Sequence, residues 1–147
     1  DVGLLCAACM ENVQFDLLSG HLDVNLGSIL ENIVAQQLKA NGYDLFYFDA
    51  KKYGEVDFVV SGGVHTRLIE VKSGNDYHKH SALDKIRSVS EWTFRDSIVL
   101  CKGNLEASDD VLYLPWYMMI FVCPDAPPQG LIYEVELSAL NGIYPNQ

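Results

Sequence analysis

Two stretches near the middle of the chain alternate between apolar and polar residues and are separated by glycines. Residues 55–60 (EVDFVV) and residues 66–72 (TRLIEVK) have the period of two that is typical of β-strands. Between them, residues 61–63 (SGG) supply glycines, which adopt the positive φ angles that a tight turn needs. The pattern predicts an antiparallel β-hairpin.

The same alternation predicts which side chains of the hairpin share a face. The first strand is expected to place Glu55, Asp57 and Val59 on one face and Val56, Phe58 and Val60 on the other. The second strand is expected to place Leu68, Glu70 and Lys72 on one side and Arg67, Ile69 and Val71 on the other. Two carboxylates and an amine can therefore meet if the register brings the strands alongside each other.

The rest of the pattern predicts an α/β fold, with helices on either side of a central mixed sheet of four to five strands. One helix is expected from Asn25 or Ser28 to Ala40. Ser28 and Glu31 have the spacing of a capping box, although the helix can also start slightly earlier, and a glycine at 42 can end it. The other predicted elements are helical segments at 3–18 and 77–92, strands at 43–49, 95–102, 111–114 and 131–137, and an acidic loop at 103–110.

Length and composition predict a single domain over residues 1–147. With 49% hydrophobic residues, the chain can bury a core without metal ions or disulfides. The apolar run at 116–122 (WYMMIFV) is too short to span a bilayer, so we expect a buried helix or a subunit interface of a homo-oligomer, and no membrane contact. The first ten residues lack the basic start of a secretory signal. They also lack an initiating Met, so the chain is expected to be a trimmed fragment of a larger, cytoplasmic protein.

Cysteine and histidine spacing offers little support for a metal centre of the zinc type. Cys6 and Cys9 form a CxxC pair, but a structural zinc site needs further ligands, and the two remaining cysteines are solitary. We therefore expect buried free thiols. His78 and His80 are too close for a helical i, i+4 pair, and an exposed helix start accounts for them.

Charge limits the classes of function. The net charge of −10 is unusual for a protein that holds nucleic acid, because non-specific affinity comes mainly from Lys and Arg contacts to phosphates. It argues against a free-standing nuclease. Bound cations would offset part of this charge.

The hairpin nevertheless carries the side chains of a metal-dependent hydrolase. Asp57 and Glu70 offer hard oxygen ligands of the kind that Mg²⁺ or Mn²⁺ prefers, and the ion would offset the repulsion between two close carboxylates. Such an ion polarises a phosphoryl oxygen and activates a water molecule, while Lys72 can stabilise the charge that grows on the phosphate. The set predicts cleavage of a phosphodiester bond.

These residues resemble the PD-(D/E)XK nuclease superfamily, which has the restriction-endonuclease-like fold. Its signature is an acidic residue on one strand and, after a hairpin, Glu or Asp, any residue and Lys, which are similar to Asp57 and to Glu70-Val71-Lys72 here. Val56 stands where the superfamily pattern has a proline. More narrowly, the order GSxxEN, GYxL, GEVDFVV and IEVKSG over residues 1–122 resembles an uncharacterised domain found C-terminal to AAA-type ATPase modules. The chain itself has no GxxxxGK[ST] motif.

The resemblance implies roles for further residues. It implies that Glu31, on the preceding helix, supports the metal ion, and that the Val71 carbonyl completes its shell with Asp57 and Glu70. It also implies that the substrate is nucleic acid, with DNA expected before RNA. The partner that it implies is an ATPase module in the same full-length protein. Contacts to the phosphate backbone are expected from Lys79 and Lys85 by the resemblance, and from Lys51 and Lys52 because two lysines stand beside Tyr53.

Each of these residues also has a simpler interpretation. The charged side chains of the hairpin can merely cover an exposed strand face. Glu31 can serve as a capping residue at a helix start, and Lys51 and Lys52 can belong to a solvated turn. The alternative for the whole chain is a nuclease-like domain without activity that acts as an interaction or regulatory module of an ATP-binding protein.

Overall fold

The computed structural model describes residues 1–9, 26–61 and 65–125. This part of the chain contains both helices and strands, as in an α/β protein. In chain order they are α1 (Val2–Cys9), α2 (Leu26–Ala40), β1 (Asp44–Ala50), β2 (Gly54–Ser61), β3 (Thr66–Val71), α3 (Ser81–Arg87), β4 (Ser97–Cys101), β5 (Glu106–Ser108), β6 (Val111–Pro115) and a 3₁₀ helix (Trp116–Phe121).

The described strands form one mixed sheet in the order β1-β2-β3-β4-β6-β5. Strands β1, β2 and β3 are antiparallel, β4 runs parallel to both β3 and β6, and β5 pairs antiparallel with β6. The prediction of a mixed α/β sheet is confirmed. The predicted count of four to five strands is wrong for the described residues, because β5 lies in the segment expected to be a loop.

That extra strand is made possible by a two-residue turn. Ser108 pairs with Val111, and between them Asp109 and Asp110 have φ angles of 50° and 62°. Two consecutive left-handed residues match the right-handed twist of the flanking strands, and aspartate tolerates this conformation better than most residues. The acidic residues that predicted a loop therefore form a hairpin turn.

Apolar side chains cover both faces of the sheet. The α2 face, which α2 and the 3₁₀ helix cover, has a buried cluster that includes Leu30, Val34, Leu38, Val60, Ile69, Val71, Ile98, Leu100 and Leu114. The α3 face has a second buried cluster, made of Val56, Leu68, Leu83, Ile86, Val99, Cys101, Val111 and Tyr113. A central strand such as β4 is buried at all five positions, which explains its uninterrupted apolar sequence.

Several predicted boundaries differ from the structure. Helix α2 begins at Leu26, so Ser28 lies within its first turn and does not cap it; the predicted capping box is wrong. Helix α3 is much shorter than the predicted 77–92, and the predicted buried helix at 116–122 is a 3₁₀ helix without a buried residue. The predicted strand at 131–137 and most of the helical segment at 3–18 lie outside the described residues.

The cysteine side chains differ in their exposure to solvent. Cys101 is buried as expected, but Cys123 is exposed and Cys6 is partly exposed, so burial of all the thiols is wrong. None of the helices in the described part of the chain has the length and apolar character needed to cross a membrane.

Candidate functional site

A β-bulge in β2 sets the direction of the Asp57 side chain. The register between β1 and β2 shifts by one residue between Phe46 and Phe48. Two residues of β2, Asp57 and Phe58, therefore lie opposite a single residue of β1, Tyr47. Bulges of this kind re-aim a side chain and are over-represented beside active sites.

The bulge also overturns the expected alternation of the first hairpin strand. Val56 packs on the α3 face and so does Val59, three residues later, whereas Phe58 and Val60 both pack on the α2 face. The second strand has no such break: Leu68 packs on the α3 face, and Ile69 and Val71 pack on the α2 face, as predicted.

The hairpin register brings the two predicted carboxylates to neighbouring positions. Phe58 pairs with Ile69, so Asp57 and Glu70 are the next residues on the two strands. Oδ2 of Asp57 accepts a hydrogen bond of 2.7 Å from the backbone N–H of Val71. The Asp57 carboxylate is thus fixed against the end of β3, beside Glu70.

Glu70 is a buried carboxylate with only one of its two oxygens paired. Oε1 accepts a hydrogen bond of 2.7 Å from Nζ of Lys72, and the two side chains are 9% and 30% exposed. Oε2 is buried and has no hydrogen-bond partner among the described residues. Buried polar atoms without a partner are rare, and each one calls for an explanation such as an ion, a water molecule or a catalytic role.

The backbone on both sides of Lys72 is held in place. Its N–H donates to the carbonyl of Leu100 in β4 at 2.8 Å, and its own carbonyl accepts a hydrogen bond of 3.1 Å from Nε1 of Trp116. Trp116 begins the 3₁₀ helix, and no pattern in the sequence connects it with the hairpin. The Lys72 ammonium therefore extends from a fixed point of the chain.

Helix α2 adds a third carboxylate, that of Glu31, next to Asp57. Glu31 lines an open depression of about 270 Å³ together with Ser28, Asn32, Ala35, Glu55, Asp57 and Phe58. The structure thus brings Glu31 near Asp57 and Glu55, although no direct hydrogen bond joins these three side chains. Glu70 does not line this depression.

Burial raises the pKa of all three carboxylates above its ordinary value. For Glu31, the nearby charges of Asp57 and Glu55 add to the effect of burial. For Asp57, the hydrogen bond from Val71 and the charge of Lys72 oppose burial without cancelling it. For Glu70, burial outweighs the hydrogen bond from Lys72, and the charge of Asp57 raises the pKa further. The negative charge of this site is therefore only partly compensated, and a cation placed here would relieve it.

A polar network that the sequence did not predict lies next to Glu70. His80 is buried, with Nδ1 2.9 Å from Asp84 Oδ1 and Nε2 2.7 Å from the Tyr113 hydroxyl. Glu70, Val99 and Tyr113 occupy one row across three adjacent strands, and the charge of His80 acts to lower the pKa of Glu70. The expectation of an exposed His80 is wrong; its spacing of four residues from Asp84 was the available signal.

The four lysines predicted to contact phosphates lie on the surface. Lys51 and Lys52 occupy the exposed turn between β1 and β2, and Lys85 is exposed on α3. Lys79 pairs with Asp76 at 2.8 Å. None of them forms a hydrogen bond or ion pair with the carboxylates of the hairpin in the part of the chain that the structure describes.

The carboxylates of Asp57 and Glu70 could supply two of the oxygen ligands that a hard divalent ion needs. Within the described residues, no three His, Cys, Asp or Glu side chains converge as metal ligands. Mg²⁺, however, is commonly held by one or two carboxylates and keeps several water molecules. The unpaired Oε2 of Glu70 and the adjacent Asp57 are compatible with that kind of site.

Comparison with protein families decides the affiliation of the chain. A family model described as a domain of unknown function (DUF4143) matches residues 26–118, more than half of the chain. The chain belongs to the DUF4143 family. DUF4143 is the domain found C-terminal to AAA-type ATPase modules, so the narrower resemblance is confirmed. The matched region runs from α2 into the 3₁₀ helix and includes the whole hairpin. No curated protein and no solved structure matches the chain.

Proposed function

We propose that this DUF4143 domain is a nuclease, dependent on Mg²⁺ or Mn²⁺, with the restriction-endonuclease-like arrangement. It would hydrolyse phosphodiester bonds of nucleic acid, with DNA as the expected substrate. Its ATPase module would lie in the same full-length chain. One observation carries the proposal. Glu70 is buried beside Asp57, with one oxygen bound to Lys72 and the other without a partner in the part of the chain that the structure describes. If Glu70 and Lys72 formed only a structural ion pair, neither the neighbouring Asp57 carboxylate nor the unpaired Oε2 of Glu70 would be needed.

In this proposal, residues of the hairpin and of α2 have distinct roles. Asp57 and Glu70 hold the ion, with the Val71 carbonyl as a further ligand, and Glu31 supports it through water. When bound, the ion supplies a polarised phosphoryl oxygen and an activated water molecule. Lys72, held at its backbone by Leu100 and Trp116, stabilises the negative charge that develops on the phosphate.

Positioning of the substrate falls to surface lysines. Lys51, Lys52, Lys79 and Lys85 are all exposed, so their ammonium groups can reach phosphates without loss of a buried contact. Four such contacts are few for a chain with a net charge of −10. Weak, salt-sensitive binding is therefore expected, and the ATPase-containing protein would supply the remaining affinity.

The first test is cleavage of a mixed panel of DNA and RNA substrates with Mn²⁺ or Mg²⁺. The native chain is compared with Lys72→Ala and with Lys39→Ala, which removes an exposed lysine that pairs with Asp44 far from the hairpin in sequence. We expect metal-dependent cleavage that Lys72→Ala lowers at least about 100-fold and that Lys39→Ala leaves unchanged. Equal activity of all three chains, or no cleavage by any of them, would contradict the proposal.

A second test measures the metal site without activity. Mn²⁺ should raise the thermal unfolding temperature of the native chain, because an ion that binds only the folded state stabilises it. Glu70→Gln and Asp57→Asn should lose this shift. Asp44→Asn, which neutralises an exposed carboxylate on β1, should keep it. An equal shift in all four chains would place the bound ion elsewhere.

The second candidate is a non-enzymatic interaction or regulatory module of an ATP-binding protein. It is favoured by exposed apolar side chains on the 3₁₀ helix, where Tyr117, Ile120 and Phe121 are 50% or more exposed. Exposed apolar residues grouped in one segment are typical of a docking surface. This candidate needs no bound Mn²⁺, so a Mn²⁺-dependent shift that requires Asp57 and Glu70 would count against it.

A further inference from the structure

A groove lined by aromatic side chains lies on the α3 face, beside the hairpin. Its walls include Phe48, Val59, Leu68, Ile86, Trp92 and Phe94, and its volume is about 380 Å³. We call it the aromatic groove. It is separate from the depression that Glu31 and Asp57 line on the side of α2.

Trp92 is the central side chain of the aromatic groove. Its ring centroid lies 5.8 Å from that of Phe48, at an interplanar angle of 73°, and 6.4 Å from that of Phe94, at 87°. Tyr53 packs against it at 5.5 Å. Near-perpendicular contacts fix the plane of the indole, yet the residue remains 39% exposed. An ordered, partly exposed indole is a suitable surface for another aromatic ring.

The turn between β1 and β2 places a cation beside an aromatic ring that adjoins this groove. Nζ of Lys52 lies 4.8 Å from the ring centre of Tyr53 and 3.1 Å from its hydroxyl, and Tyr53 packs on Trp92. Lys51, the preceding residue, is also exposed. Glu91 contributes a negative charge to the lining.

We propose that the aromatic groove binds the unpaired bases of a single nucleic-acid strand, which stack on Trp92 while the strand's phosphates lie near Lys51 and Lys52. Only the choice of nucleic acid as the ligand rests on the proposed function. The groove combines the two features of single-strand binders: aromatic rings for the bases and adjacent cations for the backbone.

The acidic character of the chain favours a single strand over a duplex. With a net charge of −10, contacts to phosphates alone give little affinity, and a duplex offers mainly phosphates because its bases are already stacked. An unpaired base stacks on an exposed aromatic ring without any need for net positive charge. The groove would thus make an acidic domain selective for unpaired segments.

The test is binding in EDTA, where no metal-dependent cleavage takes place. Fluorescein-labelled single strands of about 15 nucleotides, as DNA and as RNA, are titrated at low salt by fluorescence polarisation and compared with a duplex of the same sequence. The chains are native, Trp92→Leu, Trp92→Phe and the control Tyr117→Leu, which removes an exposed aromatic ring from the 3₁₀ helix.

We expect at least one of the two single strands to bind more tightly than the duplex. Trp92→Leu should weaken binding about 5- to 100-fold, which corresponds to the loss of one stacked base. Trp92→Phe, which keeps a ring, should lose less, and Tyr117→Leu should bind as the native chain does. The proposal is overturned if neither strand binds, if the duplex binds more tightly, or if Trp92→Leu and Tyr117→Leu bind equally well.

Direct observation of Trp92 keeps the test valid should Trp92→Leu fail to fold. The chain has two tryptophans, so Trp116→Phe leaves Trp92 as the only indole. Stacking of a base must then quench its emission, and unchanged emission overturns the proposal. Binding in EDTA without Mn²⁺-dependent cleavage would support single-strand binding by the aromatic groove and contradict the proposed nuclease activity. Cleavage that is equal in native and Trp92→Leu chains, without binding in EDTA, would support the nuclease activity and contradict binding by the groove.

Discussion

Strand β3 carries two charged residues that have very different surroundings, the partly buried Arg67 at one end and the buried Glu70 at the other. Each nitrogen of the Arg67 guanidinium has a partner, and Nη2 lies 3.8 Å from Asp125. Nε donates to Asp96 at 2.7 Å, and Nη1 donates to the Tyr43 hydroxyl at 3.2 Å and to the carbonyl of Cys123 at 3.4 Å. Among residues 1–9, 26–61 and 65–125, Glu70 has one partner for its two oxygens.

The direction of each pKa shift shows what this difference means. Although burial acts to lower it, the charges and hydrogen bonds of Asp96 and Tyr43 raise the pKa of Arg67, so the folded protein favours its charge. Burial raises the pKa of Glu70, so the folded protein disfavours its charge. A fold that tolerates an unfavourable buried charge commonly does so for function, whereas a fully paired charge serves structure.

The largest expected effect separates the two residues by stability. Arg67→Met should lower the free energy of unfolding by about 2–3 kcal/mol, because it leaves Asp96 and Tyr43 without their partner. Denaturant unfolding measures the change. Lys39→Met, which breaks an exposed ion pair with Asp44, is the control and should change stability by no more than about 0.5 kcal/mol. If both variants had the same small effect, Arg67 would not be a structural ion pair.

A smaller loss is expected where Trp116 holds the backbone of Lys72. Trp116→Phe removes the hydrogen bond to the Lys72 carbonyl and part of the packing volume, and should cost about 1–2 kcal/mol in unfolding free energy. Trp92→Phe removes the same atoms from an indole that is 39% exposed and should cost less. An equal cost for the two variants would show that the hydrogen bond to Lys72 does not contribute.

The third expected effect has the opposite sign. Without metal, Glu70→Gln should leave stability at pH 7 unchanged or raise it by up to about 1 kcal/mol, because it removes an unfavourable buried charge while Lys72 still reaches water. The same urea titration that measures Arg67→Met measures this difference. A loss as large as that of Arg67→Met would make Glu70 a structural residue and weaken the functional interpretation of the hairpin.

The comparison also shows what the sequence could predict. Local alternation was enough for β3, where Leu68 and Ile69 pack on opposite faces, and for the meeting of Glu70 with Lys72 two residues away. The bulge at Asp57 was not predictable, since it depends on the pairing of β2 with β1 and leaves no mark in the local pattern.

Other misses have the same origin in contacts between distant segments. The hydrogen bond from Trp116 to Lys72 spans 44 residues, and the one between His80 and Tyr113 spans 33. The sequence at 116–122 is uniformly apolar, which indicates burial, yet a 3₁₀ helix leaves Tyr117 and Phe121 exposed. Hydrophobicity alone does not state which side of a short helix meets the core.

The smallest expected effect is a dependence on pH that follows from the sign of the Glu70 shift. The ordinary pKa of Glu70 is 4.5, and the folded value is higher because of burial. Its contribution to stability is therefore complete below pH 4.5 and is lost as the pH rises through the folded pKa. Because glutamine does not titrate, the stability advantage of Glu70→Gln over the native chain should be absent near pH 4.5 and grow toward pH 7. Urea unfolding at a series of pH values measures it.

Two matched variants test the sign of this dependence. Burial also raises the pKa of Asp57, so Asp57→Asn should gain on the native chain as the pH rises. The hydrogen bond from Lys39 lowers the pKa of the exposed Asp44 below its ordinary value of 3.8, so Asp44→Asn should lose relative to the native chain as the pH rises to about 3.8 and should show no further trend between pH 4.5 and 7. If all three variants followed the same trend, the pH dependence would reflect the net charge of −10 rather than the surroundings of each carboxylate. The contrast between Glu70 and the fully paired Arg67 would then have no support from titration.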